Sequence, residues 1–184
     1  MNAERIGGLL KAARNSDQPL RDTAMLLTFF DTGIRLGELI GLRVGDLQPD
    51  RGLLRVIGKG DQERSVPIGT RAFAAVNAYM MRERRPRPGV RHLFLNRRGQ
   101  QMTYSAVSIR LARFSVTLGL PREDTTPHTF RRGFAVEFLR NGGDVFTLQQ
   151  ILGHSSLEMT RRYVNFLDED LKTAHLRFSP GDRL

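Results

Sequence analysis

The chain contains no cysteine, and only three of its 29 basic residues are lysines: Lys11, Lys59 and Lys172. Without cysteine it has no disulfide, no thiol nucleophile and no cysteine metal site. No apolar run approaches the roughly 20 residues that span a bilayer, and no signal-peptide pattern opens the chain, so we expect a cytoplasmic protein without membrane contact. No cluster of histidine and acidic residues has metal-ligand spacing, so we expect no metal and no cofactor.

Positive charge dominates the composition. The 29 basic residues face 19 acidic ones, which gives a net charge of +10. Such an excess favours a polyanionic partner, with nucleic acid ahead of a membrane surface. Most of the basic residues are arginines, whose planar fork of donors matches phosphate oxygens. The 184 residues, 40% of them hydrophobic, suffice for one domain with a substantial core.

Hydrophobic periodicity predicts a mainly helical domain. A further helix carries Tyr163, and the others are expected over residues 5–14, 21–31, 35–42, 70–83, 104–118, 128–140 and 144–152. Residues 53–57 and 64–68 alternate like strands around a glycine-flanked turn, which predicts a hairpin. Within the basic stretch 82–98, residues 93–95 are the candidate for a third strand. The predicted fold class is therefore α+β, mainly helical with a small three-stranded antiparallel sheet.

Tyr163 is the residue to which the other polar candidates relate. His154 precedes it by nine positions, and His128 and Arg131 stand together further upstream. A phenol has an ordinary pKa of about 10, so it needs a base before it can act as a nucleophile. His128 suits that role because imidazole titrates near neutrality. The pattern indicates a chain that holds a phosphodiester and attacks it with a phenol.

The remaining candidates suit the phosphate and the leaving group. Negative charge builds on the non-bridging oxygens during attack, and Arg35 and Arg131 fit a clamp on them, to which His154 can donate. Lys59, at the tip of the predicted hairpin, could extend into the site and protonate the departing 5′ oxygen. Glu38 lies one helical turn after Arg35, close enough to orient a neighbouring cation.

Each of these residues, taken alone, has an ordinary structural explanation. An isolated arginine is usually a surface ion-pair partner, and an isolated tyrosine is usually a half-buried aromatic. Tyr79 and Tyr104 are interpreted as packing residues and not as nucleophiles, because neither follows a histidine-bearing turn. Arg110 and Arg113 on the predicted helix 104–118, together with Arg132, are candidates for DNA contact.

Taken together, the blocks that carry these residues resemble the tyrosine recombinase family, also called the phage integrase family, and its Xer-like members in particular. The resemblance covers nearly the whole chain, with every block in family order. The blocks are Thr32-Gly33-Ile34-Arg35-Leu36-Gly37-Glu38-Leu39, Gly58-Lys59-Gly60, His128-Thr129-Phe130-Arg131, Leu148-Gln149-Gln150-Ile151-Leu152-Gly153-His154-Ser155 and Thr160-Arg161-Arg162-Tyr163.

This resemblance implies a role for each residue and a mechanism. Tyr163 would be the nucleophile, and the supporting set would be the phosphate-binding Arg35 and Arg131, the general acid Lys59, the histidines His128 and His154 for proton transfer and phosphate contact, and the acidic Glu38. Attack leaves a 3′-phosphotyrosine and a free 5′-hydroxyl, and a 5′-hydroxyl from a partner duplex reverses it without metal or nucleotide. We expect double-stranded DNA as the partner, a homotetramer on paired recombination sites, a monomer off DNA, and association with the nucleoid.

The chain departs from the family pattern in three ways. Arg132 and Asn165 stand where relatives often have histidine, and we expect these changes to tune activity. Relatives usually carry a separate helical domain of about 100 residues before the catalytic one, whereas here roughly 20 residues precede the helix leading to Arg35. Residues 1–184 are therefore expected to form a single catalytic domain, either excised from a longer protein or belonging to the small single-domain recombinases.

The tail, residues 167–184, carries an apolar helical stripe at Leu167, Leu171, Ala174 and Phe178. The stripe can dock on its own core, but relatives pass this segment to a neighbouring protomer, so we expect docking in trans. Two rival functions remain open. One is relaxation of DNA by a type IB topoisomerase-like reaction, and the other is a regulator of the same fold that binds DNA without cutting it.

Overall fold

A computed structural model describes residues 1–164 and 171–183, and within these ranges the chain is mostly helical. The helices are α1 (Ala3–Arg14), α2 (Pro19–Thr32), α3 (Leu36–Gly41), α4 (Thr70–Arg82), α5 (Tyr104–Thr117), α6 (Pro127–Arg140), α7 (Val145–Leu152), α8 (Leu157–Val164) and α9 (Leu171–Phe178). The strands are β1 (Leu47–Gln48), β2 (Leu53–Ile57) and β3 (Glu63–Pro67). The predicted fold class is confirmed.

Helix α2 is the central element of the domain. It packs against α1, α4 and α6, and its residues from Ala24 to Phe29 are all buried. It ends at Gly33, which has a φ of +60°, and a Cβ there would lie 2.3 Å from the ring of Phe134. Only glycine combines that left-handed turn with such close packing. The turn leads to Arg35 and then into α3, which contacts β2 and α5.

The sheet has the strand order β1-β2-β3 and is antiparallel throughout. Leu54 pairs with Leu47 on one side and with Val66 on the other, and Val56 pairs with Arg64. Leu54, Val56 and Val66 are buried in the core. This alternation is the one that the sequence predicted for the hairpin.

The prediction of a third strand at residues 93–95 is wrong. The third strand is β1, which needs only a short turn to pair antiparallel with β2. Leu93, Phe94 and Leu95 are fully buried but irregular, and their single ladder contact is the bridge from Leu95 to Gln101. Leu93 N–H donates instead to the Leu42 carbonyl at 2.7 Å. Burial on all sides explains their apolar character without a strand.

The core has a large part and a small part. The large part lies between α1, α2, α4, α5 and the sheet. The small part is formed by α6 and α7, with Phe134, Leu148 and Leu152 at its centre and Tyr163 packed against it. The predicted helices therefore enclose one apolar interior, with the α6–α7–α8 segment closing it on one side.

The tail is described only from residue 171 onward. The first residue of the predicted stripe, Leu167, and the side chains of Leu171 and Ala174 lie outside the described residues, whereas Phe178 is exposed. Docking of the tail in trans therefore stays a prediction. Of the helices in the described ranges, none combines the length and apolar character needed to cross a membrane.

Candidate active site

One cleft of about 1120 Å³ collects side chains from separate parts of the chain. Its walls come from the start of α3, the end of β2, the first turns of α5 and α6, and α8 with the turn before it. The predicted site residues that line this cleft are Arg35, Glu38, His128, Arg131, Arg132, His154 and Tyr163. The fold thus brings together these seven side chains of the predicted set.

Arg35 and Glu38 form a linked pair at the start of α3. The Glu38 carboxylate accepts from the Arg35 backbone N–H at 2.7 Å and from Arg35 Nη1 at 3.2 Å. The Arg35 side chain is 45% exposed, whereas that of Glu38 is 3% exposed. Burial raises the pKa of Glu38, but hydrogen bonds from Arg64 and the Arg35 backbone, with both arginine charges, bring it below its ordinary value. Glu38 is therefore an anion beneath the cleft that orients Arg35.

Arg131 is the buried cation of the site. Its Nη1 donates to the Gly33 carbonyl and its Nη2 to the Leu152 carbonyl, both at 2.8 Å. Leu152 ends α7, where helix carbonyls lack partners within the helix, so Arg131 satisfies one of them. Burial and the nearby charge of Arg35 lower the pKa of Arg131 to about 10, although Tyr163 opposes this. Arg131 is still a cation at neutral pH, and two carbonyls fix its position.

His154 follows the end of α7 and faces these cations. One ring nitrogen, Nδ1, lies 2.8 Å from the hydroxyl of buried Thr160. Burial, and then the charges of Arg131, Arg35 and Arg64, lower the pKa of His154 to about 4. The imidazole is therefore neutral at pH 7 and can contact an anion as an uncharged hydrogen-bond donor.

Tyr163 lies on α8, directly against His154. The two ring centroids are 6.1 Å apart and the ring planes are 21° from parallel. The tyrosine ring is partly buried against the small core part, while its residue lines the cleft. The ring is thus held by packing on one side and opens to the cleft on the other.

His128 and Arg132 lie on the first two turns of α6, and both are exposed along the cleft. Thr126 caps this helix by accepting from the Thr129 N–H, and Pro127 occupies its first position. The start of a helix favours anions, because its free N–H groups and dipole point outward there. His128 is therefore placed where a phosphate would be stabilised.

Lys59 opens the short turn Lys59–Asp61 between β2 and β3. Gly60, with a φ of +74°, gives this turn its left-handed bend. The Lys59 side chain lies outside the described part of the structure, so its approach to the cleft stays a prediction.

The arginines of α5 do not line the cleft. Arg110 forms ion pairs with Asp17 and, at 3.5 Å, with Asp22, and its side chain is only 14% exposed. These contacts tie α5 to the start of α2, and the contact of Arg110 with DNA stays a prediction. Arg113 is exposed on α5, and its contact with DNA stays a prediction.

Two residues at the cleft, Tyr104 and Arg64, differ from the sequence interpretation, whereas Tyr79 in the core agrees with it. Tyr79 is buried and its hydroxyl accepts from Leu95 N–H at 3.1 Å, as expected of a packing residue. Tyr104 is 61% exposed and lines the cleft, so its interpretation as a packing residue is wrong. Arg64 was not singled out, yet it contacts Glu38 under the cleft. The sequence feature that could have indicated Arg64 is the strand alternation, since Arg64 lies on the same face of β3 as buried Val66.

In residues 1–164 and 171–183, no group of three or more histidine and acidic side chains is arranged to hold a metal ion. The titratable groups described in the cleft are arginines, histidines, one acid and two tyrosines, Tyr104 and Tyr163. This arrangement can bind a phosphate by charge and hydrogen bonds, and it offers a phenol as the nucleophile.

The chain is similar to known proteins over nearly its whole length. The sequence model described as the phage integrase family matches residues 1–170. The tyrosine recombinase XerD of Proteus mirabilis is 37% identical over 188 aligned residues, which cover 98% of this chain and 59% of the relative. The tyrosine recombinase XerC of Actinobacillus pleuropneumoniae is 34% identical, covering 90% of this chain and 54% of the relative.

Solved structures show the same fold. The crystal structure of XerA recombinase has a TM-score of 0.81 at 27% identity and matches 98% of this chain and 63% of its own. The catalytic domain of bacteriophage HP1 integrase has a TM-score of 0.70 at 26% identity, with 98% and 94% covered. The chain spans about three fifths of the length of the curated relatives it matches. The chain belongs to the phage integrase family.

Proposed function

We propose that the chain acts as the catalytic domain of a site-specific DNA recombinase, with Tyr163 as the nucleophile. The observation that carries this proposal is the placement of Tyr163 against His154 in a cleft that also contains Arg35 and Arg131. The curated relatives named above are tyrosine recombinases, and the net charge of +10 suits double-stranded DNA as the partner.

The first step is attack on one DNA strand. Tyr163 Oη forms a bond to the scissile phosphorus, the bond from phosphorus to the 5′ oxygen breaks, and the product is a 3′-phosphotyrosine. Arg35 and Arg131 balance the charge that builds on the non-bridging oxygens. Arg131 is already fixed by the Gly33 and Leu152 carbonyls, so it needs little reorganisation when the charge develops.

Two protons move during this step. The phenol proton passes to His128, which lines the same cleft, and the departing 5′ oxygen takes a proton from Lys59. His154, with a pKa of about 4, stays neutral at physiological pH and donates a hydrogen bond to a phosphate oxygen. Its role is thus to contact the phosphate without charge, beside two arginines that carry the charge.

The second step restores the DNA. A 5′-hydroxyl of a partner duplex attacks the phosphotyrosine, releases Tyr163 and forms a recombinant phosphodiester. One phosphodiester replaces another, so no nucleotide is consumed. Strand exchange between two duplexes requires four nucleophiles, and we therefore propose a homotetramer on paired sites that forms from monomers on DNA.

The test is covalent trapping. The protein is incubated in EDTA with nicked duplexes from the DNA flanking its own gene, and products are separated on a denaturing gel. We expect a protein–DNA adduct from wild type and none from Tyr163→Phe, with DNA binding retained. Tyr104→Phe is the matched control, since Tyr104 lines the same cleft, and it should still form the adduct. An adduct that persists in Tyr163→Phe would exclude Tyr163 as the nucleophile.

Two measurements separate the rival functions. A type IB topoisomerase-like activity would relax a supercoiled plasmid without exchanging strands between duplexes, whereas a recombinase should yield exchanged products. A regulator that binds without cutting would show wild-type binding and no adduct on any duplex. Binding itself should weaken steeply with salt, because phosphate contacts release counterions.

A further inference from the structure

Arg64 of β3 contacts two separate parts of the site with one guanidinium group. Its Nη1 and Nη2 donate to the two Glu38 carboxylate oxygens at 2.7 and 2.9 Å. Its Nε donates to the Ile151 carbonyl at 3.0 Å, 87 residues along the chain. The Arg64 side chain is only 17% exposed. All three nitrogens of the group are therefore used inside the protein.

Through Glu38, Arg64 affects the position of Arg35. The same carboxylate receives donors from Arg64 on one side and from the Arg35 backbone and side chain on the other. A bidentate contact fixes a carboxylate in both position and rotation, which a single hydrogen bond does not. The orientation of Arg35 toward the cleft therefore depends on Arg64 as well as on Glu38.

Through Ile151, Arg64 affects the position of the turn that leads to His154. The last carbonyls of α7 lack partners within the helix, and Arg64 takes that of Ile151 as Arg131 takes that of Leu152. Gly153 follows with a φ of +63°, and a Cβ there would lie 3.0 Å from Arg64 Nε. The glycine turn that leads to His154 is thus packed directly on the Arg64 side chain.

Arg64 also lies beside the turn that carries Lys59. Gly58, just before that turn, closes it by donating to the Gln62 carbonyl at 2.8 Å. The position of a Cβ on Gly58 is 3.6 Å from Glu38 Oε1 and 3.8 Å from Arg64 Nη1. The base of the hairpin therefore rests on the Glu38–Arg64 pair.

We infer that Arg64 is a positioning residue for DNA cleavage. It fixes the positions of Arg35, the turn before His154 and the base of the Lys59 hairpin relative to one another. This inference rests on the proposed function, because it concerns the same cleft. Arg64 touches no reacting atom, and its effect passes through Glu38 and the end of α7.

The variants are chosen to separate charge from geometry. Arg64→Met keeps the length of the side chain and removes the charge and the fork. Arg64→Lys keeps the charge but cannot bridge both Glu38 oxygens and the Ile151 carbonyl together. The matched control is Arg55→Met on neighbouring β2, since Arg55 pairs with the buried acid Asp46 at 2.7 Å and lines no part of the cleft.

Hydrogen exchange without DNA tests the placement directly. Backbone amides of residues 58–62 and 153–154 should exchange faster in Arg64→Met and in Arg64→Lys than in wild type. The Arg55→Met variant should leave both segments unchanged. Unaltered exchange in the two Arg64 variants would overturn the inference, whatever the protein does to DNA, and so would equal acceleration in Arg55→Met.

Adduct formation on the nicked duplexes tests the consequence. We expect about 100-fold slower cleavage in Arg64→Met, about 10-fold slower in Arg64→Lys, and a change of less than about threefold in Arg55→Met, with affinity for DNA nearly constant in all. Wild-type rates in Arg64→Met, or in Arg64→Lys, would contradict a positioning role for the fork. If wild type itself forms no adduct, the proposed function fails, and the exchange measurement still decides the role of Arg64.

A double variant separates the loss of positioning from misfolding caused by an unpaired buried charge. Arg64→Met leaves Glu38 buried without its main partner, whereas Glu38→Gln with Arg64→Met removes both charges together. Because part of the effect of Arg64 passes through Glu38, the double variant should cleave faster than the product of the two single effects would give. Effects that multiply would show that Arg64 works independently of Glu38 and would overturn the inference.

Discussion

The domain contains the same three-residue arrangement twice, once under the cleft and once away from it. In each, an acid accepts from the backbone N–H of an arginine three positions earlier and from the side chain of a strand arginine. The two sets are the cleft cluster, Arg35, Glu38 and Arg64, and the outer cluster, Arg43, Asp46 and Arg55. Locally the two are nearly equivalent, with both acids buried.

They differ in what the strand arginine contacts beyond its acid. Arg64 is 17% exposed and donates to the Ile151 carbonyl of α7. Arg55 is 42% exposed, and its additional partner is Glu63, across the same hairpin and itself exposed. In this domain, the ion pair that lies at the cleft is the one whose strand arginine also bonds to a distant segment. The outer cluster serves as an internal control for every test of the cleft cluster.

The largest contrast should come from neutralising the two acids with isosteric amides. Glu38→Gln leaves Arg64 with little solvent and without its carboxylate, so we expect a loss of unfolding free energy on the order of 3 kcal/mol and roughly 100-fold slower adduct formation. Asp46→Asn leaves Arg55 free to turn to water, so we expect about 1 kcal/mol and unchanged cleavage. Urea unfolding and adduct kinetics measure both.

The comparison would fail if Asp46→Asn slowed cleavage as much as Glu38→Gln does. The cleft would then depend on general stability of the sheet, and the contact of Arg64 with α7 would have no special role. Equal stability losses with unequal cleavage would instead leave the distinction intact, since the two quantities measure different contacts.

Much of this architecture could be predicted from the sequence, because helices and the hairpin have periodic patterns. The helix that ends at Gly33 and the alternation of Leu54 and Val56 are local properties. The strand β1 could not be predicted, since two residues have no period. The site residues followed from family resemblance in ordered blocks, and the structure then brought most of them into one cleft.

The contacts that sequence reasoning missed are those between distant segments. One partner of Arg64 is the backbone carbonyl of Ile151, and a backbone carbonyl has no sequence signature. The ion pairs of Arg110 with Asp17 and Asp22 also join segments far apart in the chain, and the helical pattern of α5 does not indicate them. Tyr104 is an aromatic residue of the kind that usually packs in a core. It is exposed because it is the first residue of α5, at the edge of the cleft.

A second, smaller contrast uses two glycines with the same backbone. Gly153 and Gly52 both have a φ of +63°, but a Cβ on Gly153 would lie 3.0 Å from Arg64 Nε, whereas on Gly52 the nearest atom is the Ile68 carbonyl at 3.9 Å. We expect Gly52→Ala to cost about 1 kcal/mol from backbone strain. Gly153→Ala should cost about 2 kcal/mol, because Arg64 must also move.

Only Gly153→Ala should slow adduct formation, by about 10-fold, because displacing Arg64 disturbs Glu38 and the turn before His154. Thermal unfolding and single-turnover cleavage measure the two effects. If both variants cleave at the wild-type rate, the packing of this turn on Arg64 has no consequence for the site.

The smallest contrast is in pH dependence and involves one histidine beside each cluster. Burial and the charges of Arg131, Arg35 and Arg64 lower the pKa of His154 to about 4, and burial with Arg43 and Arg84 lowers that of His92. Between the ordinary pKa of 6.5 and the folded value, the unfolded chain binds the proton more readily. Folding stability is therefore lost as pH falls through this window, and no further loss arises from His154 below pH 4.

Replacing His154 by Gln should remove its part of that loss, about 1 kcal/mol or less because the ring is half-exposed and solvent screens the charges. His92→Gln should flatten the curve less, since fewer cations act on His92. Urea unfolding at pH values from 4 to 7 compares wild type with both variants. A His154→Gln curve with the full wild-type slope would mean that the cleft cations do not act on this ring, and the neutral phosphate contact assigned to His154 would have to be abandoned.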